Sequence, residues 1–268
     1  MVKTLFLFRA MLWSARRYRV DWWGSFLYPL LAILPAAVIV WLAAGTGQAG
    51  GFLFGLDKRD YFGYLLIGAT YWNYVEILWS SVFILRESMR TGQFEDLFAT
   101  PISGLEYIIG WTLLGVARVT LESVPLLLLA LAVNILSLSL TGALWSLLVF
   151  VLSMVASFGL SFALFGLTLV FKEGDELASL VGNAAPFLGG LFFPVTILPA
   201  ALQWVALAFP FTWGIDLIRH LWLGSQLIFA FETEMLALVV LAAGFLLLGT
   251  LVYQRMMRVA RVRGVQGF

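Results

Sequence analysis

The chain has 268 residues, of which 62% are hydrophobic and 12% charged, with a formal charge of +1; an ordinary soluble domain is about 45–50% apolar and about 25% charged. A globule of this size cannot hide so much apolar surface and still present a polar exterior to water, which excludes a soluble enzyme, a disordered chain and a nucleic-acid-binding protein and makes lipid the solvent. A mean hydropathy of +0.98 agrees, and the absence of cysteine excludes disulfides, thiolate metal sites and cysteine nucleophiles.

A helix rises about 1.5 Å per residue, so about 20 apolar residues cross the hydrocarbon. Six stretches meet or approach that length: 22–44, 61–85, 108–136, 144–171, 177–198 and 235–253. Unbroken apolar runs such as 126–131 lack the period-two polarity of a barrel strand. The predicted fold class is therefore an all-α membrane protein, one domain over 1–268 with six transmembrane helices.

Residues 1–21 carry Lys3, Arg9, Arg16, Arg17 and Arg19 beside Leu5, Phe6, Phe8, Leu12 and Trp13. This predicts an interfacial helix. Its polar and apolar sectors overlap, so a plain basic flank before the first span stays open. Counting Lys and Arg on alternate sides of the six spans puts twelve on the side of the termini and three on the other, with Arg118 inside a span. That bias predicts both termini in the cytoplasm of a bacterial-type inner or plasma membrane.

Ionisable groups within spans are costly and are functional candidates by default. They are Glu76, Arg118 and Glu122. Glu76 stands about 14 Å from the inner end of its span and Arg118 about 15 Å from the inner end of the next. Matched depths predict a Glu76–Arg118 pair, with Glu122 one turn from Arg118 and Asn73 one turn from Glu76. Two readings of this cluster stay open: a tie between two helices, or the polar lining of a transport route.

The loop 86–103 is polar and helix-forming until Pro101 stops it. On a helix, Phe94, Leu97 and Phe98 share an arc of about 100° while Glu95 and Asp96 point away. It can lie on the membrane surface, but its acidic residues match anionic lipid poorly and favour a protein partner.

Later, Pro186, Gly189, Gly190, Pro194 and Pro199 interrupt the apolar run of 177–198. One straight helix cannot hold so many breakers. The chain is expected to leave its span near Pro194 and to form two short re-entrant helices over 199–224, with Pro210 between them. Backbone at that depth must be covered by protein or water.

Catalytic chemistry finds little support. The single histidine, His220, cannot build a two-histidine metal site and reads as a surface or packing residue. The three lysines, Lys3, Lys58 and Lys172, follow no glycine-rich phosphate loop. The chain is expected to be neither an enzyme nor a metal or cofactor binder.

Two groups of residues carry a resemblance. Arg86-Glu87, Gly92-Gln93-Phe94-Glu95-Asp96-Leu97 and Thr100-Pro101-Ile102-Ser103 resemble the cytoplasmic coupling segment of ATP-binding-cassette permeases of the type-2 export class. Gly189-Gly190-Leu191-Phe192-Phe193-Pro194, Leu198-Pro199, Phe209-Pro210-Phe211-Thr212-Trp213, Asp216 and Arg219 resemble that class's stretch from span five through its re-entrant helices. The resemblance covers the whole chain.

It implies a permease subunit that works as a dimer, by expectation a homodimer, with two copies of a separate nucleotide-binding subunit that holds ATP and Mg. Arg90, Phe94, Glu95, Asp96, Leu97 and Phe98 are then the docking helix for the ATPase, and Gly189, Gly190, Pro194, Pro199 and Pro210 shape the outer gate. The class exports drugs, lipids and lipid-linked polysaccharides. Tyr71, Trp72, Tyr74 and Trp79 supply aromatics, but the spans hold few hydrogen-bonding groups, which favours an amphipathic or hydrophobic substrate over a saccharide. A stand-alone secondary transporter or channel, relaying ions through Glu76, Arg118 and Glu122, is the alternative of another class; it would be favoured by an inverted repeat, and none is evident.

Overall fold

Apolar sequence in lipid leaves the backbone only itself to bond to, and helices satisfy that demand within one segment. The computed structural model describes residue 38 and residues 58–91, 104–132, 134–136, 139–168 and 174–263, among which no strand occurs. Seven α-helices follow in order: α1, Lys58–Arg90; α2, Gly104–Ala132; α3, Leu140–Thr168; α4, Gly174–Leu188; α5, Ala200–Leu207; α6, Pro210–Leu223; and α7, Phe231–Arg263. A 3-10 turn, Val195–Ile197, lies between α4 and α5.

Three helices among the described residues contain stretches long and apolar enough to cross a membrane: Ile109–Ala132 in α2, Leu140–Leu164 in α3 and Phe231–Met256 in α7. The first expected span, 22–44, lies outside the described residues except for Val38. Helix α1 contains the expected span 61–85 and, at 33 residues, is about 50 Å long; its tyrosines, Asn73 and Glu76 dilute its hydropathy.

Helix ends follow local chemistry. Ser139 opens α3, its Oγ accepting the Gly142 N–H at 2.9 Å, as an N-cap does. Helix α2 stops at Ala132, short of the expected 136, because Asn134 takes a left-handed φ of 54° and Ile135 N–H returns to Ala130 O at 2.9 Å, closing the turn in the Schellman manner.

The same device ends α4, which breaks at Leu188 and not near Pro194. Gly190 has φ 78°, and Leu191 N–H donates to Pro186 O at 3.1 Å. Any side chain at Gly190 would strain this conformation. At 15 residues, α4 spans only about 22 Å, less than the hydrocarbon thickness. Helices α5 and α6 form the expected pair of short helices, bent 92° at the break. Phe209 is extended and Pro210 takes the first helical position, which suits a residue without an N–H.

Helix α3 is the hub, packing on α7, α6, α1 and α4. Small residues let it approach closely: Gly159 abuts the α7 backbone at Phe245 and Leu246, and Gly166 abuts Tyr253. Lipid offers no hydrophobic drive between helices, so such close approach supplies the van der Waals contact that binds them. Ser153 and Ser161 of α3 face α1, where Ser153 bonds the Tyr71 hydroxyl and Ser161 Oγ donates to Leu78 O at 2.8 Å. On the outside, Leu144, Leu147, Val151, Leu236, Val240 and Leu251 are exposed, an apolar girdle suited to acyl chains.

Candidate functional site

The α4–α5 break exposes backbone carbonyls that no helix satisfies, and one side chain gathers them. Arg219 of α6 is 1% exposed. Its Nη2 donates to Tyr64 O at 2.9 Å and to Leu191 O at 2.7 Å, while Nη1 donates to Gly190 O at 2.5 Å. The guanidinium also lies 3.2 Å over the Tyr64 ring, and the Tyr64 hydroxyl donates to the same Gly190 carbonyl at 3.1 Å. A planar, permanently charged fork is the group that can hold three carbonyls from two separate segments at once. Gly68 leaves room for it, since a Cβ there would strike Arg219 Nη2 and Leu191 O. Arg219 thus pins α1, the break after α4, and α6 together.

Beside the clamp, Asp216 and Glu234 secure the linker from α6 to α7. Asp216 Oδ2 accepts the Ile228 N–H at 3.1 Å, and Glu234 Oε1 accepts the Phe229 N–H at 2.9 Å. Glu234 Oε2 is buried without a hydrogen-bond partner. His220 Nδ1 lies 2.7 Å from Ser225 O, a packing role as expected for a lone histidine.

A cleft of about 360 Å³ separates α1 from α4. Trp72, Glu76, Trp79 and Ser80 form the α1 wall; Ser179, Asn183 and Phe187 belong to the α4 wall, and Leu191 and Phe192 lie at the break. The indoles are 6.5 Å apart between centroids, and Phe211 braces both edge-on, at 5.7 Å from Trp72 and 6.4 Å from Trp79. Gly189 is small because a Cβ would run into the Phe211 ring and Ala185 O.

The expected intramembrane cluster divides. Arg118 Nε donates to Glu122 Oε1 at 2.8 Å within α2, while Glu76 is exposed on the α1–α4 cleft. Helix α1 is tied to α2 instead by the Tyr74 hydroxyl, which donates to Thr120 Oγ1 at 3.1 Å. Asn73 is half-buried on α1. Of the expected gate residues, Gly189 and Gly190 end α4, Pro194 precedes the 3-10 turn, Pro199 caps α5 and Pro210 starts α6. Arg90 is the last residue of α1; Phe94, Glu95, Asp96, Leu97 and Phe98 lie outside the described residues.

Sequence reasoning quoted Arg219 and Asp216 only as motif letters and passed over Tyr64 and Glu234. The signal was present: a lone arginine three residues after an aspartate, downstream of two adjacent glycines whose carbonyls need donors. Their meeting across 155 residues of sequence was not legible.

No curated protein matches the sequence significantly. Residues 3–223 match the family described as ABC-2 type transporter, whose membrane domain is a permease and not an ATPase domain. With more than half of the chain inside that match and apolar helices of spanning length around it, this chain belongs to the ABC-2 type transporter family and is a multi-pass membrane permease component of an ABC transporter.

Proposed function

We propose that the chain is the membrane subunit of an ATP-driven exporter, working as a homodimer with two copies of a separate ATPase subunit that holds ATP and Mg. The family match over 3–223 is the observation that carries this reading. In it, six spans cross the membrane with both termini in the cytoplasm, and the substrate is amphipathic or hydrophobic.

The drive enters at 90–98. Closure of the ATPase pair pushes the coupling segment, with Phe94, Leu97 and Phe98 as apolar anchors and Glu95 and Asp96 on the rim. The push passes directly into α1, because Arg90 ends that helix. Helix α1 is a continuous rod whose opposite end is gripped by the Arg219 clamp through Tyr64. A displacement at the coupling segment therefore reaches the break at Gly189 and Gly190, which with Pro194, Pro199 and Pro210 forms the outer gate. The chain supplies the route and the lever; the partner supplies the hydrolysis.

The test is co-expression with candidate P-loop ATPase subunits from the same genome, followed by affinity purification through the permease alone. The expected result is a stable complex whose ATP turnover exceeds that of the free ATPase. Purified permease that binds no ATPase and moves ions unaided would overturn the reading.

A further inference from the structure

Among the described residues, the α1–α4 cleft holds an acidic side chain, Glu76, with no basic side chain beside it. Glu76 stands 18 residues from Lys58 and 14 from Arg90 along α1, roughly 27 and 21 Å from the two ends of the helix, which places it at membrane depth. It makes no hydrogen bond or ion pair among the described residues. Among the described residues, the arginines within the helices at such a depth are committed elsewhere: Arg118 is bonded to Glu122 and Arg219 to the carbonyls of Tyr64, Gly190 and Leu191. The other polar groups on the cleft, Ser80, Ser179 and Asn183, are neutral.

A lone ionised carboxylate in hydrocarbon is expensive, and the walls around this one suit the missing partner. Trp72 precedes Glu76 by one helical turn and Trp79 follows it by nearly one, so both indoles flank the carboxylate on one face. Indole faces attract cations, most of all when desolvated. Phe211 braces both rings edge-on, so the aromatic walls are set before a ligand arrives. The volume, about 360 Å³, is at the lower end for pockets that enclose small organic molecules.

From this geometry we infer that the α1–α4 cleft is a binding site for an organic cation with an apolar body, the positive centre meeting Glu76 between Trp72 and Trp79. The inference names the substrate class of the route proposed above and rests on that reading for its role in transport. An anion meets repulsion in this cleft, and a neutral hydrocarbon leaves the carboxylate unmatched. The cationic centre belongs either to a free amphiphile or to an ammonium lipid headgroup.

The test uses full-length permease in phosphatidylglycerol nanodiscs and radiolabelled tetraphenylphosphonium. Saturable binding is expected, displaced by unlabelled tetraphenylphosphonium and not by uncharged triphenylphosphine oxide. Glu76→Gln weakens it about thirtyfold or more, the scale of losing one partner of a desolvated charge pair, whereas Glu76→Asp, which keeps the charge, retains most of it and controls for folding. Equal binding by wild type and E76Q, or equal displacement by the neutral analogue, overturns the site. Displacement of the probe on adding phosphatidylethanolamine assigns the cation to a lipid headgroup; no displacement assigns it to a free amphiphile. Adding the ATPase separates the two readings. Stimulated ATP turnover without cation binding overturns the site alone, and Glu76-dependent binding without any ATPase partner overturns the exporter reading alone.

Discussion

Arg219 Nη2 donates to the carbonyl of Leu191 at 2.7 Å, joining the core of helix α6 to the first residue past the glycine break. The bond explains how an apolar helix can break where α4 does: a carbonyl released by the break is met by a cation and not left unsatisfied. It also accounts for a charge that is 1% exposed in so apolar a protein, since a buried charge persists only when its hydrogen bonds are satisfied.

Removing that cation should be costly. Arg219→Ala leaves the Leu191 carbonyl without its donor, at about 1–3 kcal/mol, and also removes the charged donor shared by Gly190 O and Tyr64 O, so a clear fall in melting temperature is expected. Arg219→Lys keeps the charge without the planar fork and should recover only part of the loss. Melting followed by size-exclusion in detergent checks both; an R219A transition at the wild-type temperature would remove the clamp from the account.

The α3–α7 crossing depends on glycine at one position and not at a neighbouring one. A Cβ at Gly249 would meet the Gly159 backbone, whereas one at Gly244 meets nothing within 4 Å. Gly249→Ala should lower thermal stability by pushing the helices apart, and Gly244→Ala should be neutral or gain up to about 1 kcal/mol from helix propensity. Equal effects of the two changes would contradict the crossing.

Gly189 and Phe211 should be coupled. A methyl at Gly189 runs into the Phe211 ring and Ala185 O, so Gly189→Ala alone destabilises, and adding Phe211→Ala relieves part of the damage. A double-mutant cycle with a coupling of about 0.5–3 kcal/mol is expected for residues in contact; strict additivity would argue against the contact.

Linker protection should follow the carboxyl pair. Glu234→Ala removes the acceptor of the Phe229 N–H and Asp216→Ala that of the Ile228 N–H. Hydrogen exchange at the corresponding amide should quicken about tenfold, the equivalent of a bond worth about 1.4 kcal/mol, with Glu234→Gln intermediate because its carbonyl still accepts. Unchanged exchange would show that the linker is held by packing alone.

The docking segment can be tested apart from the fold. Reversing Glu95 and Asp96 to lysine together with Phe94→Ala should abolish stimulation of ATP turnover while the permease elutes and melts as wild type, because these residues belong to the polar stretch 86–103 of the sequence. Preserved stimulation would refute the docking assignment.

Much of the architecture was legible because lipid imposes it. Long apolar runs have no state but helix in hydrocarbon, so α2, α3 and α7 follow from composition and length. The pair of short helices over 199–224 was legible too, since Pro199 and Pro210 favour helix starts where the chain has turned. The end of α4 was less so: Gly189, Gly190 and Pro194 are all breakers, and which one acts depends on where the left-handed turn closes.

Pairing was the part that one-dimensional depth matching could not supply. Equal depth suggested Glu76 with Arg118, but depth says nothing about the direction in which a helix faces. Rotation about the axis turns Glu76 toward α4 and leaves Arg118 to Glu122, one turn along its own helix. Composition, spacing and motif by themselves determined that this is a helical membrane permease of a recognisable family. Only the tertiary structure decided that the buried Arg219 meets three carbonyls distant in sequence and that the exposed Glu76 faces an aromatic cleft.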